Sequence, residues 1–241
     1  MPETIATLQA LRASTADLLQ GLDAEQWSDA DVAAPSLCEG WTRGHVLTHI
    51  ARNADGITAT LAGALRGEIV ARYPDGWDAR NEAIAAGATR PVTELRADVQ
   101  DSADRLDRVL GAIGDADGWQ RPTDQDHPAQ HWVHQRWREV EIHRVDLAGA
   151  YTPDRWPALL VTEVLVDVAA TLADRVDGPA RVEVTAAGSL APELVGQVWQ
   201  VGEGDPVEVA GPDWAVLAWL TGRGSLALDA LTAVPELGHW R

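Results

Sequence analysis

Four long segments near the start of the chain carry apolar residues at every third or fourth position, which is the spacing of one face of an α-helix. The second segment shows this most clearly, with Val46 and Ile50 on its apolar face. Thr42 can cap its start, and Gly67 follows its end. The segments cover residues 4–19, 42–66, 91–113 and 129–150. Amphipathic helices of this length bury their apolar faces against one another, so the sequence predicts an all-α four-helix bundle over residues 1–150.

The pattern changes at the stretch "YTPDRWP", residues 151–157, whose prolines and polar residues are typical of a linker. One further helix is predicted over residues 158–176, and another in "PDWAVLAWLTGR". Between them, alternation of apolar and polar residues predicts strands in three stretches, "ARVEVTA", "GQVWQVG" and "DPVEVAG". We therefore predict a second domain over residues 151–241, a small α+β unit with an antiparallel sheet.

Composition narrows the classes of function. The chain has 241 residues and a formal net charge of −18, which repels nucleic acids and anionic membrane surfaces. It has no run of about 18 apolar residues that could span a bilayer and no signal-peptide pattern, so we expect a cytoplasmic protein without nucleic-acid or membrane partners. The one cysteine, Cys38, excludes an internal disulfide. The absence of lysine excludes Schiff-base chemistry and a phosphate-loop lysine.

Two of the predicted helices carry side chains that can bind a metal ion. In "GHVLTHIARN", His49 lies beside Val46 and Ile50 on the apolar face, so its imidazole is expected to point into the bundle. Glu139 and His143 are one turn apart on the fourth helix and are expected to face the same interior. Two imidazoles and one carboxylate from facing helices form a three-ligand set that holds catalytic zinc with one position left open.

A simpler interpretation of the fourth helix stays open. The stretch "REVEIHRVDL" alternates charges as a solvated helix does, and Glu139 and His143 can belong to a surface ion-pair ladder with the arginines nearby. Those arginines are Arg136, Arg138 and Arg144. Even where Glu139 and His143 point inward, we expect the outer face to keep a solvated ladder of Arg138, Glu141 and Arg144. His45, in the first turn of the second helix, is interpreted as a polar residue at the helix start rather than as a fourth ligand.

Four motifs carry a resemblance to a known family. They are "LCEGWTRGHVLTHIARNA", "WDARNEAIAAG", "RWREVEIHRVDL" and "WLTGRGS", and their order and spacing are more specific than any one of them. In these motifs the chain resembles the mycothiol-dependent maleylpyruvate isomerases, which join a DinB-like four-helix bundle to a sterol-carrier-like α+β domain. The resemblance extends over both predicted domains.

The resemblance implies roles for individual residues of this sequence. The family's zinc ligands fall on His49, Glu139 and His143. Its catalytic arginine falls on Arg223, in "LTGR" of the second domain. A loop near the family's cleft matches "DARNEAI", which makes Arg80 and Asn81 candidate substrate contacts.

The activity implied by the resemblance is cis–trans isomerisation of maleylpyruvate to fumarylpyruvate in the gentisate route, with zinc and mycothiol as cofactors. The zinc-ionised mycothiol thiolate adds to the cis double bond, the new single bond rotates, and elimination leaves the trans isomer. The arginine fork of Arg223 suits the carboxylates of this anionic substrate. Two alternatives stay open: a zinc-dependent mycothiol S-transferase acting on another electrophile, and a non-catalytic protein that binds a small molecule.

Several residues near the predicted site have competing interpretations. Asp146, three positions after His143, can orient that ligand or can be an ordinary surface acid. Cys38 is interpreted as structural, because free cysteines are commonly buried and the family takes its thiol from a cofactor. Trp137 is expected to line the cleft. Three histidines near the start of the fourth helix do not share one face, so we do not expect a metal cluster of His127, His131 and His134.

Overall fold

A computed structural model describes residues 2–230 and 234–238 of the chain. The chain divides into two compact units, the first ending at Tyr151 and the second beginning at Thr152. The first unit is built of helices, and the second contains a β-sheet. Within the described residues, every helix is too short or too polar to cross a lipid bilayer.

Four long helices form the first unit, as the apolar periodicity predicts. They are α1 (Pro2–Ala24), α3 (Arg43–Arg66), α5 (Val92–Ile113) and α7 (His131–Asp146). The connections contain three short helices that the sequence pattern does not predict, α2 (Asp29–Ala33), α4 (Gly76–Gly87) and α6 (Ala116–Trp119). The α3 helix packs against α5 and α7, and α1 packs against α7, so the apolar faces meet in one core. The prediction of a helical bundle is confirmed.

The ends of α3 follow from its terminal residues. The hydroxyl of Thr42 accepts a hydrogen bond from the backbone N–H of His45, and the His45 ring accepts one from the backbone N–H of Thr42. Gly67 ends the helix with a φ of 77°, a left-handed conformation that glycine adopts without strain. The N-terminal cap fixes the start of α3, and with it the direction in which His49 points about two turns later.

The α7 helix is buried on more sides than its alternating charges suggest. Arg136 is 1% exposed and Glu141 is 2% exposed, whereas Arg138 and Arg144 are half-buried. The reason is that α7 packs on both α1 and α3, which leaves little of its surface in solvent. The prediction that Glu141 belongs to a solvated ladder is therefore wrong, and so is the surface interpretation of Arg136. Inside the bundle, Tyr151 donates a hydrogen bond to the Glu141 carboxylate over 2.5 Å.

In the part of the second unit that the structure describes, two helices accompany a four-stranded sheet. The helices are α8 (Ala158–Ala169) and α9 (Asp213–Leu220), and the strands are β1 (Ala180–Val184), β2 (Val198–Val201), β3 (Val207–Gly211) and β4 (Asp229–Ala230). The strand order is β2-β1-β3-β4. The predicted α+β class is confirmed. The α8 helix is shorter than predicted, and a separate 3₁₀ turn covers Leu172–Asp174.

The sheet is mixed, so the prediction of an antiparallel sheet is wrong for one pairing. The β1 strand pairs antiparallel with β2, and β3 pairs antiparallel with β4, but β1 and β3 run parallel. The short connection from β2 to β3 crosses the start of β1. There Gly202 has a φ of 75°, and a Cβ on it would come within 2.8 Å of Pro179. The chain therefore re-enters the sheet on the side of β1 opposite to β2, and β3 runs in the same direction as β1.

Candidate metal centre

Three side chains from α3 and α7 converge inside the bundle. His49 extends from α3, and Glu139 and His143 extend from successive turns of α7. Nε2 of His49 lies 2.9 Å from Oε2 of Glu139 and 2.9 Å from Nε2 of His143. Oε2 of Glu139 and Nε2 of His143 are 3.4 Å apart. The structure therefore brings together the three residues that the sequence selected as metal ligands.

The spacing and chemistry of these three atoms fit a zinc ion. Zinc bonds of about 2.0–2.1 Å to imidazole nitrogen and carboxylate oxygen put neighbouring ligand atoms of a tetrahedron about 3.3 Å apart. The observed distances of 2.9, 2.9 and 3.4 Å are close to that edge length. Two Nε2 atoms that face each other at 2.9 Å also require a proton or a cation between them, since each would otherwise present a lone pair.

Burial and mutual contacts shift the pKa values of the three groups. Burial, followed by the nearby His143, lowers the pKa of His49 to about 4, so its ring is neutral at pH 7. Burial alone would raise the pKa of Glu139, but hydrogen bonds from His143 and His49 hold it well below its usual value. Burial also opposes the charge of His143, yet hydrogen bonds with Asp146 and Cys38 raise its pKa well above the usual value. The ionised Glu139 offsets the charge of a protonated His143, and a divalent cation bound by these residues would displace that proton.

Asp146 contacts the ring nitrogen of His143 that faces away from the other two ligands. Its Oδ2 lies 2.8 Å from Nδ1 of His143, and Asp146 is 1% exposed. The alternative interpretation of Asp146 as a surface acid is therefore wrong. A carboxylate at Nδ1 keeps a proton there, so that a metal ion replaces the other proton and takes the lone pair of Nε2, as is usual for a histidine that binds a metal.

Arg80 approaches the centre from α4. Its Nη2 lies 2.5 Å from Nδ1 of His49, and its Nη1 donates to Oδ1 of Asn81 over 2.8 Å. The guanidinium also lies 5.7 Å from the ring centres of both Tyr73 and Trp77, within the range of cation–π attraction. The structure thus places Arg80 against a candidate ligand, whereas Asn81 is exposed and contacts Arg80.

Two residues before α3, Cys38 and Trp41, lie beside the centre, and the sequence pattern does not predict that they do. The Cys38 thiol lies beside the ring of His143. One ligand atom from each of Cys38, His143 and Asp146 lies within 4.8 Å of the others. The ring centre of Trp41 lies 5.6 Å from that of His49. The sequence indicates this location only through the position of both residues just before the helix that carries His49, in "LCEGWTRGH".

Arg223 and Trp137 are each fixed by hydrogen bonds within their own unit. Arg223 follows α9, is half-buried and donates from Nη1 to the carbonyl oxygen of Thr221. Its backbone N–H donates to the carbonyl oxygen of Ala218 over 2.6 Å, which closes the end of α9. Trp137 is 1% exposed, and its indole N–H donates to Ser14 over 2.9 Å. The expectation that Trp137 lines a cleft is therefore wrong, because its ring fills the bundle core.

The remaining histidines build no second centre in the described part of the chain. His45 takes part in the cap of α3 and is absent from the groups of close ligand atoms. His127 and His131 stack with their ring centres 3.8 Å apart. Burial, together with His127, lowers the pKa of His131 to about 4. No group of three close ligand atoms among the described residues includes His127, His131 or His134.

A bundle of long helices with two imidazoles and a carboxylate gathered between facing helices is an arrangement with which helical bundles can bind a metal ion. A family model described as the mycothiol maleylpyruvate isomerase N-terminal domain matches residues 8–148 of the chain. That match covers more than half of the 241 residues, and the chain belongs to this family.

Solved structures extend the likeness to nearly the whole chain. The chain is 27% identical to a crystal structure of the mycothiol-dependent maleylpyruvate isomerase, with a TM-score of 0.84 over 98% of this chain and 97% of that chain. A crystal structure of a histidine-to-alanine mutant of the mycothiol-dependent maleylpyruvate isomerase matches with the same identity, coverage and TM-score. A comparison with curated proteins finds no match.

Proposed function

We propose that the protein is a zinc- and mycothiol-dependent isomerase that converts cis maleylpyruvate to trans fumarylpyruvate. The observation that carries the proposal is the convergence of His49, Glu139 and His143, whose ligand atoms lie within 3.4 Å of one another inside the bundle. The family of the chain supports this chemistry, as does its likeness over 98% of its length to a mycothiol-dependent maleylpyruvate isomerase.

The three converging residues would hold zinc, and their neighbours would orient them. His49, Glu139 and His143 would supply three ligands, and the metal would be able to take a thiol as a further ligand. Zinc bound there supplies a Lewis acid that keeps the mycothiol thiol ionised at neutral pH, and this thiolate is the nucleophile of an addition, rotation and elimination. Asp146 would accept a hydrogen bond from the Nδ1–H of His143 and so keep its Nε2 available as a ligand.

Positive charge would bind the substrate, because maleylpyruvate carries two carboxylates and the protein has a net charge of −18. Arg80, whose guanidinium lies 5.7 Å from two aromatic ring centres and beside His49, would bind a carboxylate with its planar fork of N–H donors. Asn81 would contact the substrate and orient Arg80 through the hydrogen bond between them. On the basis of the "LTGR" motif, we assign to Arg223 the stabilisation of the negative charge that develops on the substrate.

The proposal is tested by following the products formed from maleylpyruvate with and without mycothiol. We expect the cis isomer to disappear and fumarylpyruvate to accumulate only when mycothiol is present, without net consumption of thiol. A stable thiol adduct without isomerisation would identify an S-transferase instead. Substrate binding without turnover, in a purified protein that contains no zinc, would identify a non-catalytic binding protein. His49→Ala should abolish turnover, and His127→Ala, which changes a histidine outside the centre, should retain it.

A further inference from the structure

A buried arginine borders a cavity that is separate from the metal centre. Arg136, on α7, is 1% exposed. Its Nη1 donates to the carbonyl oxygen of Ile50 over 2.8 Å and to Oδ1 of Asn53 over 2.9 Å, both on α3. Arg136 also lines a cavity of about 200 Å³ between α1 and α5. None of the three candidate metal ligands lines this cavity.

Among the described residues, no carboxylate forms a hydrogen bond or an ion pair with Arg136. A guanidinium has five N–H donors, and the two hydrogen bonds made by Arg136 both come from Nη1. Its contacts within the described chain are to neutral oxygens, and no described Asp or Glu forms an ion pair with it. Burial lowers the pKa of Arg136 to about 10, which leaves the side chain charged at pH 7. The carboxylates of Glu139 and Asp55 attract Arg136 without a hydrogen bond to it, so an anion paired directly with its guanidinium in the cavity would stabilise it further.

The walls of the cavity are apolar, and its mouth is polar. Leu11 of α1 and Leu106 and Leu110 of α5 line the cavity and are buried. Arg12 and Asp107 also line it, and they form an ion pair of 2.6 Å with half-exposed side chains. The charges of this exposed pair offset each other. The charge of Arg136 therefore determines that the cavity prefers an anionic ligand.

We propose that the cavity between α1 and α5 binds a small organic carboxylate, with its carboxylate paired to Arg136 and its apolar body against the leucines. The Nε and Nη2 donors of a guanidinium match the two oxygens of a carboxylate in a bidentate pair. A volume of about 200 Å³ corresponds to roughly seven waters of about 30 Å³ each, which suits a molecule of about ten non-hydrogen atoms. Benzoate and hexanoate have this size. The site needs neither zinc nor mycothiol, so its test is independent of the proposed function.

Other ligand classes fit the cavity less well. An inorganic anion would pair with Arg136 but would leave the apolar walls without a partner. A neutral aromatic molecule would cover the walls but leave the cation unpaired. Asp104 also lines the cavity, and it accepts a hydrogen bond from Gln100 over 2.8 Å. Asp104 is exposed, so an amine would be attracted at the entrance and repelled by Arg136 inside.

The test compares three probes of one shape on the full-length protein in a low-chloride buffer. Benzoate, benzyl alcohol and benzylamine are titrated by calorimetry and by ligand-observed NMR. We expect benzoate to bind at least ten times more tightly than the other two. Arg136→Met should weaken benzoate binding at least tenfold and leave benzyl alcohol binding nearly unchanged. Equal binding of benzoate and benzyl alcohol, or no benzoate binding at millimolar concentration, would overturn the proposal.

A second variant keeps the charge of Arg136 and fills the cavity between α1 and α5. Ala103, half-buried on α5, lines the cavity, so Ala103→Leu should abolish benzoate binding with Arg136 intact. Ala112→Leu places the same side chain at an exposed position of the same helix and should leave binding unchanged. This pair decides the question if Arg136→Met does not fold. Benzoate binding that survives Ala103→Leu would locate the anion elsewhere and contradict the proposal.

Discussion

Nη2 of Arg80 lies 2.5 Å from Nδ1 of His49, whereas Nε2 of the same ring faces Glu139 at 2.9 Å. A guanidinium can only donate hydrogen bonds, so Nδ1 accepts and the proton of the neutral ring sits on Nε2. A metal ion at Nε2 needs the lone pair there, so Arg80 and the metal favour opposite tautomers of His49. Metal binding would therefore release Arg80 from Nδ1 and make its guanidinium available to a substrate carboxylate.

Replacing Arg80 by Met should strengthen zinc binding and weaken turnover. A hydrogen bond to a charged group contributes about 1.5–3 kcal/mol, so its loss from the metal-free state should lower the zinc Kd roughly tenfold or more. The isomerase rate should fall because a carboxylate contact is lost. Competition with a fluorescent chelator measures the Kd, and Arg66→Met, at an arginine whose side chain is 55% exposed, is the matched control. Weaker zinc binding by Arg80→Met would contradict the inference that Arg80 and the metal favour opposite tautomers of His49.

Replacing Asp146 by Asn should weaken zinc binding by about 10- to 100-fold, because the support of a histidine ligand is lost. The Asn side chain cannot hold the Nδ1 proton of His143 as a carboxylate does, so Nε2 is less available as a ligand. The zinc Kd is measured as for Arg80→Met, with circular dichroism to establish that the bundle is folded. Asp177→Asn, at an exposed position of the second unit, should have no effect. An unchanged Kd in a folded Asp146→Asn variant would remove Asp146 from the metal centre.

Replacing Arg223 by Lys should keep the zinc content and reduce kcat by about 100-fold. The reason is that lysine retains one positive charge but not the planar fork that stabilises a developing anion. Elemental analysis and the isomerase assay on the same sample separate the two effects. Arg181→Lys is a suitable control, since Arg181 forms ion pairs with Glu183 and Glu208 on the sheet. Full activity in Arg223→Lys would exclude Arg223 from the mechanism.

Replacing Glu141 by Gln should raise the Tm at pH 7. Burial raises the pKa of Glu141, so the folded protein holds this proton more tightly than the unfolded chain does. The contribution to stability is therefore present below the ordinary pKa of 4.5 and is lost as the pH rises through the raised value. Gln keeps an oxygen that can accept the hydrogen bond of Tyr151. Each kcal/mol gained should raise the Tm by about 2–4 °C.

The difference in Tm between Glu141→Gln and the parent protein should shrink as the pH falls toward 4.5, the ordinary carboxyl pKa. Calorimetric unfolding at several pH values measures this trend. Glu203→Gln removes an exposed carboxylate in the second unit and should give a small difference at every pH. A Tm at pH 7 that is lower in Glu141→Gln than in the parent protein would show that the buried charge stabilises the bundle.

The long helices could be predicted because each buries a continuous apolar face and, in α3, because both caps can be identified from Thr42 and Gly67. The α4 helix could not be predicted in this way. Ile84 is the one buried residue among its 12, so no apolar periodicity marks it. Because α4 positions Arg80 beside His49, the contact between these two side chains could not be predicted from apolar periodicity either.

The inward direction of His49, Glu139 and His143 could be predicted from their spacing relative to the apolar residues. Spacing could not decide which charged residues of α7 are solvated, because that depends on which helices pack on it. Arg136 and Glu141 belong to a charged sequence, and both are buried because α7 contacts α1 and α3 at once. The residues of α7 alone do not indicate that α1 and α3 both pack against it.

The most direct test of a thiol-activating centre at His49, Glu139 and His143 is the isomerase rate of chelator-stripped protein during titration with zinc, at saturating mycothiol. We expect stripping to abolish the rate and zinc to restore it linearly up to one ion per chain. Glu139→Gln should show neither tight zinc binding nor the restored rate. An isomerase rate that is unchanged by stripping, or a stripped protein that binds no zinc, would contradict this account.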